Sequence, residues 1–243
     1  MKAIAFIPAR MKSSRFPGKP LIKLNGKTMI EHVWSRTKQC KDLDQVFIAT
    51  CDDEIKKEAI NFGAEVIMTS EKHEMCMSRI VEAALKKPSD LIVTVQGDEP
   101  LIKPEMISQS INTLKNNDSL FATTLAQKIV KESEITDPNR VKIIWNKNNE
   151  VIYISREAIP SKKKTTEVIN YFKMVCVYTM KYNSLMEYEK LNESSLERVE
   201  SIDMLRIIEN GKKLGVSVID GEVENIDVPE DIPKVLKLFD LSK

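Results

Sequence analysis

Over its first 116 residues the chain alternates segments of strand period with segments of helix period, and that alternation narrows the fold to one class. Residues 3–8, 45–50, 65–68 and 90–96 read as short apolar strands. Between and after them, residues 29–41, 52–62, 77–87 and 104–116 read as helices. The first helix gathers Ile30, Val33, Trp34 and Thr37 on one face, and the last opens on Pro104. Strands separated by helices pair in parallel through right-handed crossovers, so the expected class is α/β, a doubly wound three-layer sandwich. The strand at 90–96 is strongly β-branched, as a central strand covered on both faces must be. Beyond Phe121 the pattern changes. Residues 141–145, 151–155 and 172–179 read as longer strands, some antiparallel, 181–190 and 199–210 as helices, and 216–219 as a late strand. Residues 161–167 are polar and charged and read as an exposed loop. No repeat, low-complexity tract or linker interrupts the chain. The expectation is one domain over 1–243, with residues of about 121–215 forming a smaller second lobe.

Composition excludes several classes of function. With 37 basic and 36 acidic residues the formal charge is +1, so no global field draws the chain to nucleic acid or to a membrane, and any anion site is local. No segment approaches the roughly 20 apolar residues of a membrane span. Met1-Lys2-Ala3 runs straight into the first strand pattern without a cleavable signal or lipidation motif, and the expected compartment is the cytoplasm. Cys40, Cys51, Cys76 and Cys176 lack CxxC spacing and read as reduced thiols. His32 and His73 stand too far apart to suggest a metal cluster.

The first strand ends in a loop that carries Arg10, Lys12, Arg15 and Lys19, two serines and Gly18, and no acid. Four cations there repel one another unless a polyanion sits among them, and guanidinium forks pair with phosphate oxygens. The bland alternative is a solvated basic loop. Residues 93–100, Val-Thr-Val-Gln-Gly-Asp-Glu-Pro, close the central strand on a carboxylate pair. Asp98 beside a phosphate loop suits Mg²⁺, which one or two carboxylates typically hold together with phosphate oxygens. Gly-Asp and Glu-Pro are also ordinary turn dipeptides. Asp227, in Asn225-Ile226-Asp227-Val228-Pro229-Glu230, either completes that cation's coordination or caps the following helix with Glu230 as its capping-box partner. A third group, Arg79, Gln96, Ser155-Arg156 and Glu200 with Arg206, reads as an acceptor pocket. Most of the charged helix at 197–206 reads equally as solvated i,i+3 and i,i+4 pairs.

In order along the chain stand IPARMKSSRFPGKPL, MIEHVW, VIMTS, VQGDEPLI, DPNRVK, YISREAIP, VESIDMLR and IDVPEDI. Together they resemble the 3-deoxy-manno-octulosonate (Kdo) cytidylyltransferases, over nearly the whole chain. The resemblance implies a Rossmann-like three-layer sandwich of the nucleotide-diphospho-sugar transferase type, with a mostly parallel sheet and a smaller dimerisation lobe. It implies transfer of CMP from CTP to a sugar acid with release of pyrophosphate, Mg²⁺ as cofactor, and a homodimer. Arg10, Lys19 and Asp98 would be the catalytic residues and Asp98 and Asp227 the metal ligands. Ala9, Arg15, Arg79, Gln96, Arg156 and Glu200 would bind substrate. The chemistry would be in-line attack of an acceptor oxygen on the α-phosphorus, with no general base evident.

The chain departs from the family pattern where a His followed by Ser-Gly-Thr-Asp-Arg is usual. Here the run is His73-Glu74-Met75-Cys76-Met77-Ser78-Arg79. The family's His-x-Gly is Met174-Val175-Cys176, and its Thr-Asp-Asp is Cys51-Asp52-Asp53. The pocket is therefore expected to be more apolar through Met75, Met77, Met174 and Cys176, and the acceptor to carry fewer hydroxyls than Kdo or a different substituent. The rival readings are a same-fold nucleotidyltransferase using another NTP or a phosphonate acceptor, and a catalytically silent nucleotide-binding regulator.

Overall fold

The computed structural model describes residues 1–13 and 15–241. Ser14, one of the two serines of the basic loop, lies outside them. The chain divides into two compact units, Met1–Ser108 with Val223–Lys243, and Gln109–Glu222. The second is wider than the lobe expected at about 121–215.

In the first unit β1 (Ala3–Ala9) is buried along its whole length. A hairpin of β2 (Lys23–Leu24) and β3 (Lys27–Thr28) follows. Asn25 and Gly26 turn it with φ of 48° and 86°, the left-handed pair that a two-residue hairpin loop requires. The chain continues through α1 (Met29–Thr37), β4 (Gln45–Thr50), α2 (Asp53–Asn61), β5 (Glu65–Met68), α3 (Cys76–Lys86) and β6 (Leu91–Val95) to α4 (Pro104–Lys115), within which the division between the units falls. Strands β6, β1, β4 and β5 lie side by side and all run parallel, with Ala3 opposite Leu91, Ile4 opposite Gln45 and Phe47 opposite Glu65. The α/β class expected from the alternation is the fold observed. Helix α1 buries Ile30, Val33, Trp34 and Thr37, the face its period indicates. The parallel arrangement brings the carboxyl ends of β1 and β6 to the same edge of the sheet, which is where an open α/β sheet binds its ligand.

The second unit holds β7 (Ala122–Lys128), β8 (Lys142–Trp145), β9 (Val151–Ser155), β10 (Phe172–Lys181), α5 (Tyr182–Tyr188), α6 (Ser195–Glu200), α7 (Leu205–Glu209) and β11 (Leu214–Ile219). Strand β7 pairs parallel with β11 and antiparallel with β10, and β8 and β9 form an antiparallel pair. The chain then returns to the first unit and ends in α8 (Ile232–Leu241).

The helix expected at 199–210 is corrected to two short ones. The chain breaks at Ser201, with φ of 54°, and restarts at Leu205. The break has a physical cause. Arg206 donates Nε to Glu197 Oε2 at 2.7 Å and an Nη to Oε1 at 2.8 Å. Nine residues along one straight helix would separate them by roughly 13 Å. Glu197 is fully buried and also accepts from Ser194 in the capping box of α6, so this pair is not a solvated surface one.

Candidate active site

The site is built at the carboxyl edge of β1 and β6. Gly97 follows β6, and a Cβ there would stand 2.7 Å from the carbonyl oxygen of Pro8, so only glycine lets the two strand ends close up. The turn is tied further by Glu99 N–H to the Gln96 carbonyl at 3.2 Å, and by Ile226 N–H to the Asp98 carbonyl at 3.1 Å. The second tie brings the segment carrying Asp227 beside Asp98.

The loop after β1 is anchored at both ends. Asp52 Oδ2 accepts Met11 N–H at 2.8 Å. Gly18, at φ 74°, donates its N–H to the Met11 carbonyl at 3.0 Å. The loop's cations then meet the two carboxylates. Lys19 Nζ donates to Asp98 Oδ2 and to the Ile226 carbonyl, each at 2.8 Å. An Nη of Arg15 lies 2.8 Å from Asp227 Oδ1, and the Arg15 side chain is 44% exposed against 8% for Asp227. Asn225 Nδ2 donates to the other oxygen of Asp227 at 2.6 Å. Arg10 is exposed and among the described residues has no ion pair.

Burial first, and then the Asp98 carboxylate, push the Asp227 carboxyl above its ordinary range, against the pull of Lys19, Arg15 and the Asn225 amide. Two carboxylates set close enough to repel, each drawing in a loop cation, form an oxygen donor pair that fits a hard divalent cation sharing phosphate oxygens. No third carboxylate, Cys or His completes a metal cluster among the described residues, so such an ion would depend on a ligand's oxygens. The helix-cap alternative for Asp227 is corrected. It is Asp231 that accepts the Asp227 and Val228 N–H groups, at 3.0 and 3.2 Å, and Glu230 is not the capping partner.

Gln96 is half-buried and donates Nε2 to Cys76 Sγ at 3.0 Å. Arg79 is buried and reaches the Thr69 hydroxyl and, at 3.4 Å, the Ser70 carbonyl, so its guanidinium braces the approach to α3. Met77 is 1% exposed and belongs to the core of α3, which corrects its expected place in a ligand pocket. His73 meets Glu82 Oε2 at 2.6 Å. Burial raises the Glu82 carboxyl, but hydrogen bonds from Lys86, the Ser70 N–H and His73 outweigh it and lower it to about 2.

In the second unit Glu200 accepts the Ser155 hydroxyl at 2.6 Å, the Arg156 N–H at 2.9 Å and the Tyr153 hydroxyl at 3.3 Å. Burial opposes these bonds, yet together they hold its carboxyl below the ordinary range. Arg156 spends its guanidinium on main-chain carbonyls of Glu200, Pro138 and Ser201. Buried Lys142 donates to the carbonyls of Asp137 and Arg156, and burial pushes its pKa down. Sequence reasoning named Arg156 and Glu200 but not Lys142, whose signal was only a lysine standing at the start of an apolar strand. It likewise passed over Asp52, Gly97, Asn225 and Asp231. Asp52, Gly97 and Asp231 act through backbone contacts that no spacing rule reveals, and Asn225 acts through its side-chain amide on Asp227.

A basic, glycine-closed loop facing paired carboxylates at the carboxyl edge of a parallel sheet defines a nucleotidyltransferase type of site. The comparisons with known proteins agree. The cytidylyltransferase family profile matches residues 4–214. The 3-deoxy-manno-octulosonate cytidylyltransferase of Fusobacterium nucleatum subsp. nucleatum is 42% identical over 237 residues, covering 97% of this chain and 96% of the relative. That of Thermodesulfovibrio yellowstonii is 41% identical over 246 residues, covering 96% of each. A solved structure of CMP:2-keto-3-deoxy-manno-octonic acid synthetase complexed with CTP superposes with a TM-score of 0.92 at 33% identity, covering 100% of both chains. The chain belongs to the cytidylyltransferase family, among the 3-deoxy-manno-octulosonate cytidylyltransferases.

Proposed function

We propose that this enzyme transfers the cytidylyl group of CTP to Kdo and releases pyrophosphate, with Mg²⁺ at Asp98 and Asp227. The carrying observation is the pairing of two loop cations with two facing carboxylates, Lys19 with Asp98 and Arg15 with Asp227. Asp98 and Asp227 would hold the metal of a bound polyphosphate, and Lys19 and Arg15 would then be free to pair with phosphate oxygens. Bound there, Mg²⁺ neutralises charge on the phosphates. An acceptor hydroxyl oxygen forms the new bond to the α-phosphorus, the bond from that phosphorus to the pyrophosphate oxygen breaks, and the hydroxyl proton goes to solvent. Arg10, Arg15 and Lys19 hold the departing pyrophosphate. Catalysis rests on positioning and on charge already in place.

Kdo is favoured over a less hydroxylated acid on two grounds. The relatives that match over nearly the full chain are named for it. Met77, one of the apolar residues that argued against it, is in the core. A homodimer formed through the second unit fits the exposed apolar side chains there, of which Val130 and Val168 are 85% and 93% exposed. No helix among the described residues is long and apolar enough to cross a membrane. The test is pyrophosphate release with each of the four common NTPs against Kdo, deoxy and amino sugar acids, and phosphonates. CTP with Kdo is expected to be the fastest pair. A faster pair elsewhere in the panel, or release from none, contradicts the proposal.

A further inference from the structure

We infer that Cys76 tunes recognition of the acceptor by holding the Gln96 side chain in one orientation, which leaves the amide's carbonyl oxygen to accept from an acceptor hydroxyl. The inference rests on the activity proposed above. Gln96 lies two residues from Asp98, immediately after β6, at the sheet edge that carries the proposed reacting centre. The backbone there has no freedom. Gly97 is pressed against the Pro8 carbonyl, and the peptide on either side is hydrogen-bonded to Glu99 and Ile226. What remains free in Gln96 is a side chain with three rotatable bonds, and ordering such a chain on binding costs affinity.

The sulfur removes that freedom beforehand. Gln96 Nε2 donates to Cys76 Sγ at 3.0 Å. Cys76 opens α3, whose position is set independently. Met77 is packed in the core, and Arg79 is hydrogen-bonded to Thr69 and Ser70. The thiol is thus a fixed point on a rigid element, and the amide is the adaptable partner. With one N–H of Nε2 on the sulfur, the plane of the amide is set, and its carbonyl oxygen is the acceptor offered to ligand. Such a site favours acceptors with a hydroxyl facing Gln96 and penalises those without it, because the carbonyl is then left unpaired. Cys76 is a positioning residue in this scheme and takes no part in bond making.

Two measurements test it. Steady-state kinetics of Cys76→Ala with CTP and Kdo should show KM for Kdo raised about tenfold, with kcat and KM for CTP within twofold of wild type. Cys76→Ser, which keeps a hydrogen-bond acceptor, should return KM for Kdo to within about threefold. Separately, alkylation of Cys76 by iodoacetamide is followed by mass spectrometry in the wild type and in Gln96→Met, which keeps length but loses the donor. Loss of a donor to the thiolate should slow alkylation at least threefold. Equal alkylation in the two proteins overturns the inference. So does a Cys76→Ala enzyme whose KM for Kdo is unchanged, or whose KM for CTP rises as much. A wild type that releases no pyrophosphate from CTP with Kdo refutes the proposed activity instead, and an active wild type with an indifferent Cys76→Ala variant refutes this inference alone.

Discussion

Asp98 carries its carboxylate at the end of a buried strand, and Lys19 meets it there from the loop of the neighbouring strand. Arg10 is the contrast at the same scale. It is exposed, without an ion pair among the described residues, and so available to a ligand from the outset. Arg10→Ala should leave stability to urea within about 0.5 kcal/mol of wild type. It should raise KM for CTP at least tenfold, a loss of about 1.4 kcal/mol. A KM for CTP within twofold of wild type would make Arg10 a solvated surface residue. The residues of this site were partly legible in the chain. The place of Asp98 was, because an acid at the end of an apolar strand comes against the cationic loop of the neighbouring strand, where Lys19 meets it. The cap was misread because Asp227, Glu230 and Asp231 all sit at plausible spacing, and only the path of the backbone selects Asp231. Met77 was misread because a methionine beside a departed motif looks the same in sequence whether it faces ligand or core.

At the scale of elements, the strands of the first unit were legible because each is an apolar run between turn residues. Strand β7 was not. Its Ala-Thr-Thr-Leu-Ala sequence lacks bulky side chains, and its hydroxyls are satisfied inside, Thr123 with Ser110 and Thr124 with the Val175 carbonyl. The break between α6 and α7 was hidden because local charge spacing cannot announce a buried pair nine residues apart. Arg206→Met should therefore cost about 3–5 kcal/mol in urea denaturation, since Glu197 is left buried and charged. Adding Glu197→Gln should recover part of that loss. A cost under about 1 kcal/mol would show the pair to be solvated after all. Glu82 supplies a pH dependence. Its folded carboxyl sits at about 2 against 4.5 for the ordinary group, so its contribution is fully present above about pH 4.5 and is lost as pH falls toward about 2. Thermal unfolding from pH 6 to pH 2 should therefore fall less steeply in Glu82→Gln than in wild type. Parallel curves would show that the carboxylate is not held this way.

At the scale of the whole molecule, two compact units divide the chain, and the second carries the exposed Val130 and Val168 on which the proposed homodimer rests. Light scattering at micromolar concentration should give a dimer, and Val168→Lys combined with Val130→Lys should shift it toward monomer. A wild-type monomer would contradict that assembly. The doubly wound half of the fold was readable from alternation alone, whereas in the second unit β8 to β11 were readable as strands but their partners were not, because they pair across long stretches of sequence. The most direct measurement of chemistry at the paired carboxylates is ³¹P NMR of a mixture of CTP, Kdo and Mg²⁺ with the wild type and with Asp98→Asn. The account predicts a new phosphodiester signal and pyrophosphate in equal amounts from the wild type, and turnover at least a hundredfold slower from Asp98→Asn with its fold intact. Turnover of Asp98→Asn within about threefold of wild type, a barrier change of less than about 1 kcal/mol, would contradict it.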